Sequence, residues 1–313
     1  KENHVFCAAY RTDEFEELLQ YADHIVFNSP RQLKLFGPRA KAAGKSVGLR
    51  INPECSTQEG HEIYDPCAPG SRLGTTRAQW DAHMTEDLFS LLDGLHFHTL
   101  CEQDSDALET TLDAVEEKFG EFLPKMQWLN FGGGHHITRP GYDIPRLERC
   151  IRRTQKRWNV EVYLEPGEAC ALNAGYLVSS VLDLPVNGET NLAILDMSAA
   201  CHTPDVLEMP YRPPSFGAGD AGEKTYLYRL GGPTCLSGDV IGDYSFEAPL
   251  TEGTRLVFGD MAIYTTCKNN TFNGMPLPDI WVLREDNSLE PICHFGYQDF
   301  KMRLGQSERG GKQ

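Results

Sequence analysis

Along the first half of the chain, a short apolar run is followed by a longer stretch in which apolar residues recur every third or fourth position, and the order repeats. His4–Tyr10 (HVFCAAY), His24–Phe27 (HIVF), Val47–Ile51 (VGLRI), Gly94–His98 (GLHFH), Lys125–Phe131 (KMQWLNF) and Val160–Leu164 (VEVYL) are the apolar runs, and each predicts a strand. Helices are predicted over Asp13–Ala22, over the stretch opened by Ser29-Pro30, and over Thr76–Leu92, Asp104–Phe119 and Ile144–Trp158. Ser29 suits an N-cap, and Pro30 suits the first helical position because its missing N–H has no partner there in any case. Strands that are apolar throughout, rather than on alternate residues, are buried on both faces. Six such units therefore predict a parallel sheet clad in helices. One long irregular segment, Asn52–Gly74, is rich in Pro, Gly and Cys, and a loop of that length is expected to serve function, for example as a cover over a site.

From about Tyr176 the pattern changes to short strand-like runs between Pro/Gly turns: Tyr176–Leu182, Asn191–Leu195, Lys224–Arg229, Thr254–Phe258 and Ile280–Leu283. The expected division is an α/β domain over residues 1–175, a mostly β domain over 176–304, and a disordered polar tail over 305–313.

Composition narrows the function classes. A net charge of −16 argues against a nucleic-acid surface. No apolar run reaches the ~18 residues of a membrane span, and the first residues carry no leader pattern. Ten cysteines without CxxC pairs, in a chain of 313 residues, read as reduced thiols of a cytoplasmic protein.

The chemistry-bearing residues stand at the C-terminal ends of predicted strands: Arg50, His98, Gly132, Gly133 and Gly134, and Glu165 to Gly167. That placement suits either a closed barrel or an open doubly wound sheet. A barrel takes eight strands and six are counted, so either the sheet is open or two units lie upstream of Lys1. Consecutive glycines let backbone N–H groups approach an anion closely, and Glu165 next door offers a fixed negative charge. A ligand with a phosphate at one end and a protonated nitrogen at the other fits both.

The set GLHFH, LNFGGG, YLEPGEA, GGPTCLSGD and DMAIYT, in that order, resembles the fold-type III pyridoxal-phosphate enzymes, the alanine racemase and ornithine or diaminopimelate decarboxylase group. EPGEA, HTPDVLEMPYRP, GPTCLSGD and KNNTFNG are similar to its carboxynorspermidine (carboxyspermidine) decarboxylase branch, and the resemblance covers nearly all of residues 1–304. It implies an eight-stranded alanine-racemase-like barrel plus a C-terminal β domain, pyridoxal 5′-phosphate as cofactor, a polyamine substrate, and a homodimer with shared active sites. HVFCAAY resembles the third barrel strand, so the strand bearing the family's cofactor-binding lysine is expected upstream of Lys1.

By resemblance, Gly132 to Gly134 and Gly167 bind the phosphate, Glu165 faces the ring nitrogen and His98 stacks on the ring. Arg50 is expected at the ring hydroxyl and Tyr264 at the phosphate. Cys235 returns a proton in the neighbouring protomer's site, a role that suits a thiol whose ordinary pKa lies near neutrality. Asp239 is expected at the amino end of the substrate, with His202 and Asp205 as further contacts. Glu168 replaces an arginine that binds phosphate in several relatives, which argues for a cationic substrate group nearby. Leu236 stands where ornithine decarboxylases have an aspartate. Other readings stay open: a diaminopimelate or ornithine type of decarboxylase, an inactive relative, or a metal-dependent barrel hydrolase using His96, His98, His135 and His136.

Overall fold

Six short strands, β1 (His4–Phe6), β2 (His24–Phe27), β3 (Ser46–Arg50), β4 (Gly94–His96), β5 (Trp128–Asn130) and β6 (Glu161–Tyr163), pair in parallel and in sequence order. A doubly wound sheet reverses its strand order at a switch point. This one does not, so the six units form part of a barrel wall and the open-sheet alternative is excluded. The computed structural model describes residues 1–58 and 62–305; residues 59–61 of the long loop, and the expected disordered tail beyond Gly305, lie outside the described residues. The chain divides after Cys170 into two units.

The helices that accompany the wall are α1 (Phe15–Tyr21), α2 (Pro30–Ala42), α3 (Arg77–His83), α4 (Glu86–Phe89), α5 (Ser105–Phe119), α6 (Ile144–Trp158) and α7 (Gly167–Ala171). Ser29 caps α2 by accepting the Gln32 N–H, and Pro30 takes the first position, as the sequence predicts. The helix expected over Thr76–Leu92 is broken in two. Thr76 caps α3 through Gln79 N–H, and Thr85 caps a new helix, α4, through Leu88 N–H. A threonine that closes its own hydroxyl onto the backbone competes with helix continuation. Leu33, Phe36 and Ala40 on one face of α2 join Phe15, Phe27 and Val47 in a dry core, where each large side chain contributes roughly 1.5–3 kcal/mol.

The register aligns the strand ends. Arg50 pairs with His96, His96 with Asn130, and Asn130 with Tyr163. Residues just beyond this row, His98, Gly132 and Glu165, are thereby delivered to one edge of the wall.

The second unit carries β7 (Leu177–Asp183), β8 (Val186–Asn187), β9 (Thr190–Leu195), α8 (Ala199–His202), α9 (Asp205–Glu208), β10 (Tyr226–Gly231), β11 (Val240–Phe246), β12 (Arg255–Phe258), α10 (Tyr264–Cys267), β13 (Ile280–Leu283), β14 (Leu289–Cys293) and α11 (Tyr297–Arg303). Its main sheet runs β11-β10-β9-β7-β12, with β8 on β9; β13 and β14 make a separate hairpin. The core of this unit includes Val181, Leu195, Leu230, Tyr244 and Phe258.

Candidate active site

Glu165 follows β6, and two neighbouring strands hold its carboxylate. The Asn130 amide donates to Oε1 at 2.8 Å, and the His96 ring lies 3.3 Å from Oε2. Burial works to raise the Glu165 pKa, but His96, Asn130 and the nearby His98 outweigh it and hold it at about 2. His96 is buried, which pushes its own pKa down. At neutral pH the pair is therefore a neutral imidazole donating Nε2–H to an ionised carboxylate. Asn130 also serves the glycine bend, since its Oδ1 accepts the Gly132 N–H at 2.8 Å and so ties the bend to the carboxylate.

His98 is fixed by both ring nitrogens. Gly133 N–H donates to Nδ1 at 3.4 Å, which leaves Nε2–H to donate to the Leu100 carbonyl at 3.2 Å. Burial, with the Arg50 charge added, pushes its pKa down to about 4. A neutral ring with both nitrogens engaged presents a flat face and carries no proton to donate at pH 7. Arg50 is buried and donates from Nη2 to the His98 carbonyl at 3.0 Å, with its guanidinium 4.6 Å from the Phe6 ring centre. Burial lowers its pKa to about 10, so it stays charged.

Gly132 and Gly134 adopt φ +70° and +80°. A Cβ on Gly132 would lie 2.4 Å from the Phe97 carbonyl oxygen, and one on Gly134 2.0 Å from that of Leu100. Close approach of the β4 and β5 strand ends thus requires glycine there, whatever ligand the bend receives. Gly167 opens α7, and its N–H donates to the Glu165 carbonyl. Glu168, half-buried, lines a small hollow with Glu102 and His136.

In the second unit, Cys235 is exposed on the turn after β10, and its N–H donates to Asn273 Oδ1 at 3.1 Å. Tyr264, which opens α10, is exposed. Two expected substrate contacts are corrected by their surroundings. Asp239 is 4% exposed and accepts from Ser198 Oγ (3.0 Å), Ala200 N–H (3.3 Å), Thr234 Oγ1 (2.7 Å) and Thr234 N–H (3.4 Å). Its carboxylate is consumed in holding the Cys235 turn. His202 is buried, accepts the Ser198 N–H on Nδ1 and donates Nε2–H to the Pro276 carbonyl, so it has no free nitrogen for a ligand. Asp205 pairs with Lys268, which also bonds Glu208 Oε2 at 2.9 Å.

Sequence reasoning placed His96 only in the metal-hydrolase alternative and passed over Asn130. The available signal was position: both end strands one pleat before a residue already singled out. The metal-hydrolase alternative fails on geometry. Among the described residues the His/Cys/Asp/Glu group close enough to share an ion is Glu2, His4 and His24, and His96 instead serves Glu165.

An ionised carboxylate fixed by two donors, yet still 38% exposed, can be reached by a protonated ring nitrogen. With the flat face of His98 beside it, the residues fit pyridoxal 5′-phosphate. Barrel wall, strand-end carboxylate and glycine bend together define a pyridoxal-phosphate enzyme of the alanine-racemase-like type. The chain belongs to the pyridoxal-dependent decarboxylases: the family model described as "Pyridoxal-dependent decarboxylase, C-terminal sheet domain" matches residues 10–262. It is 41% identical to the carboxynorspermidine/carboxyspermidine decarboxylase of Campylobacter jejuni, over 97% of this chain and 80% of that protein. It is 43% identical to the carboxyaminopropylagmatine decarboxylase of Synechocystis sp., over 97% of this chain and 78% of that protein. The crystal structure of the Campylobacter jejuni carboxynorspermidine decarboxylase complexed with norspermidine superposes with a TM-score of 0.85 at 40% identity, covering 97% of this chain and 81% of that one.

Proposed function

We propose that this decarboxylase acts on carboxynorspermidine or carboxyspermidine and releases norspermidine or spermidine, as a cytoplasmic homodimer with shared active sites. The observation that carries the reading is the Glu165 carboxylate, ionised and oriented by His96 and Asn130. The bound cofactor supplies an electron sink for the bond between the substrate's α-carbon and its departing carboxylate. Glu165 keeps a proton on the ring nitrogen, because an adjacent anion favours the charged form of a base. His98 supports the ring from one face, and Arg50 stands as the donor to the ring hydroxyl. Gly132 to Gly134, Gly167 and Tyr264 are assigned to the phosphate on family resemblance. Cys235, assigned on the same resemblance to the partner's site, returns a proton to the α-carbon. The two relatives above 40% identity support the substrate class. The ten free cysteines support a reducing compartment, and no helix among the described residues is long and apolar enough to cross a membrane.

A second reading, carboxyaminopropylagmatine, is favoured by the Synechocystis relative. The test is a substrate panel on the full-length protein with its cofactor, followed by CO2 release. Carboxynorspermidine or carboxyspermidine should exceed diaminopimelate and ornithine in kcat/KM by at least tenfold. Highest kcat/KM on diaminopimelate or ornithine overturns the assignment, and highest on carboxyaminopropylagmatine moves it to the second reading.

A further inference from the structure

Gln103, between β4 and α5, belongs to no motif, yet its hydrogen bonds join the long irregular loop to the glycine bend. Its backbone forms a parallel bridge with His135. Gln103 N–H donates to the Gly134 carbonyl at 3.0 Å, and His136 N–H donates to the Gln103 carbonyl at 3.1 Å. Its half-buried side chain serves the long loop. Nε2 donates to the Thr57 carbonyl at 2.6 Å, while Oε1 accepts from Thr57 Oγ1 at 2.9 Å and from Gln58 Nε2 at 2.7 Å.

The bridge decides which way the bend faces. Gly132 N–H is given to Asn130 Oδ1, and Gly133 N–H to His98 Nδ1. Among the described residues no hydrogen bond uses the N–H of Gly134 or of His135, so these amides remain for an anion. A trans peptide points its C=O and its N–H in opposite directions. Drawing the Gly134 carbonyl toward Gln103 therefore turns the His135 N–H away from Gln103. Gly134 and His135 border the small hollow beside Pro166, so this peptide adjoins open space. With the peptide turned over, a carbonyl oxygen would meet an incoming phosphate in place of an N–H and repel it.

We propose that Gln103 is a positioning residue for the cofactor phosphate. Its backbone holds the Gly134–His135 peptide with the N–H free for the ligand, and its side chain ties that peptide to Thr57 and Gln58. This role rests on the assignment of the glycine bend to the phosphate and deepens it. It also gives residues 57 and 58 of the long loop a task, as the far anchor of that peptide.

The test compares pyridoxal 5′-phosphate with pyridoxal, which lacks only the phosphate, in binding titrations of the full-length protein stripped of cofactor. No turnover is needed. Wild type should prefer the phosphorylated form by roughly 100-fold, the worth of two charge-assisted hydrogen bonds. Gln103→Leu keeps the bulk of the side chain and removes its bonds to Thr57 and Gln58. It should cut that preference roughly tenfold, with pyridoxal affinity changing less than about twofold. Thr57→Val removes one bond from the loop side and should cut the preference by roughly threefold. Melting curves establish that the variants fold, and if Gln103→Leu does not, Thr57→Val decides alone. A preference unchanged from wild type in the folded variants overturns the positioning role. So does an equal loss for both ligands, which marks a general structural effect. Wild-type protein that binds both ligands equally overturns the phosphate assignment of the bend itself.

Discussion

Replacing Glu165 by Gln keeps the shape of the side chain and removes its charge, so it isolates the electrostatic part of the site. A carboxylate about 4 Å from a unit positive charge is worth about 4 kcal/mol at an effective dielectric constant near 20. Glu165 is 38% exposed, and solvent screening cuts that to roughly 2 kcal/mol. If the ring proton matters in the transition state, kcat should fall by about 30-fold, with KM changing far less. The amide has one oxygen where the carboxylate had two, so either His96 or Asn130 loses its acceptor, and stability should drop by about 1 kcal/mol. Full-length wild type and Glu165→Gln, both loaded with cofactor, would be compared by CO2 release and urea unfolding. A kcat within threefold of wild type, at equal cofactor content, would refute the proposed role of the charge.

Three further outcomes follow from the same geometry. Asn130→Ala removes the donor to Glu165 and strands the buried Gly132 N–H; urea unfolding should show a loss of about 2–4 kcal/mol, and less than 1 kcal/mol would show that the bridge carries little. Asp239→Asn disturbs the four bonds that hold the Cys235 turn, so the alkylation rate of Cys235, followed by peptide mapping, should change at least threefold; an unchanged rate would detach Asp239 from that turn. Because the folded pKa of Glu165 is depressed from 4.5 to about 2, its ionisation stabilises the fold fully above pH 4.5, and that contribution is lost as pH falls toward 2. Wild type should thus lose more stability than Glu165→Gln between pH 5 and about 2.5, and parallel losses would contradict the shift.

Most of the barrel wall was legible in the sequence because its strands are short continuous apolar runs and its helices carry local stop and start signals, Ser29-Pro30 being the clearest. The choice between barrel and open sheet came from the motif resemblance and not from the apolar pattern, since strand order is a long-range property that periodicity does not carry. β11 escaped because VIGDYSF mixes Gly242 and Asp243 into a strand that pairs with β10 throughout its length. At the site, residues with conspicuous chemistry such as Glu165 and His98 could be singled out from motifs. The residues that aim Glu165 belong to no motif; position at a strand end was their one signal, because His96 and Asn130 become neighbours of the carboxylate only through strand register. Asp239 and His202 misled for the opposite reason: a motif names an acid or an imidazole but not the donors that already occupy it.

The most direct test of the account is a crystal structure of the full-length protein with pyridoxal 5′-phosphate bound. The Glu165 carboxylate should lie roughly 2.7–2.9 Å from the ring nitrogen, with the His96 and Asn130 bonds intact. A carboxylate turned away from the ring, or a ring nitrogen served by another residue, would contradict it.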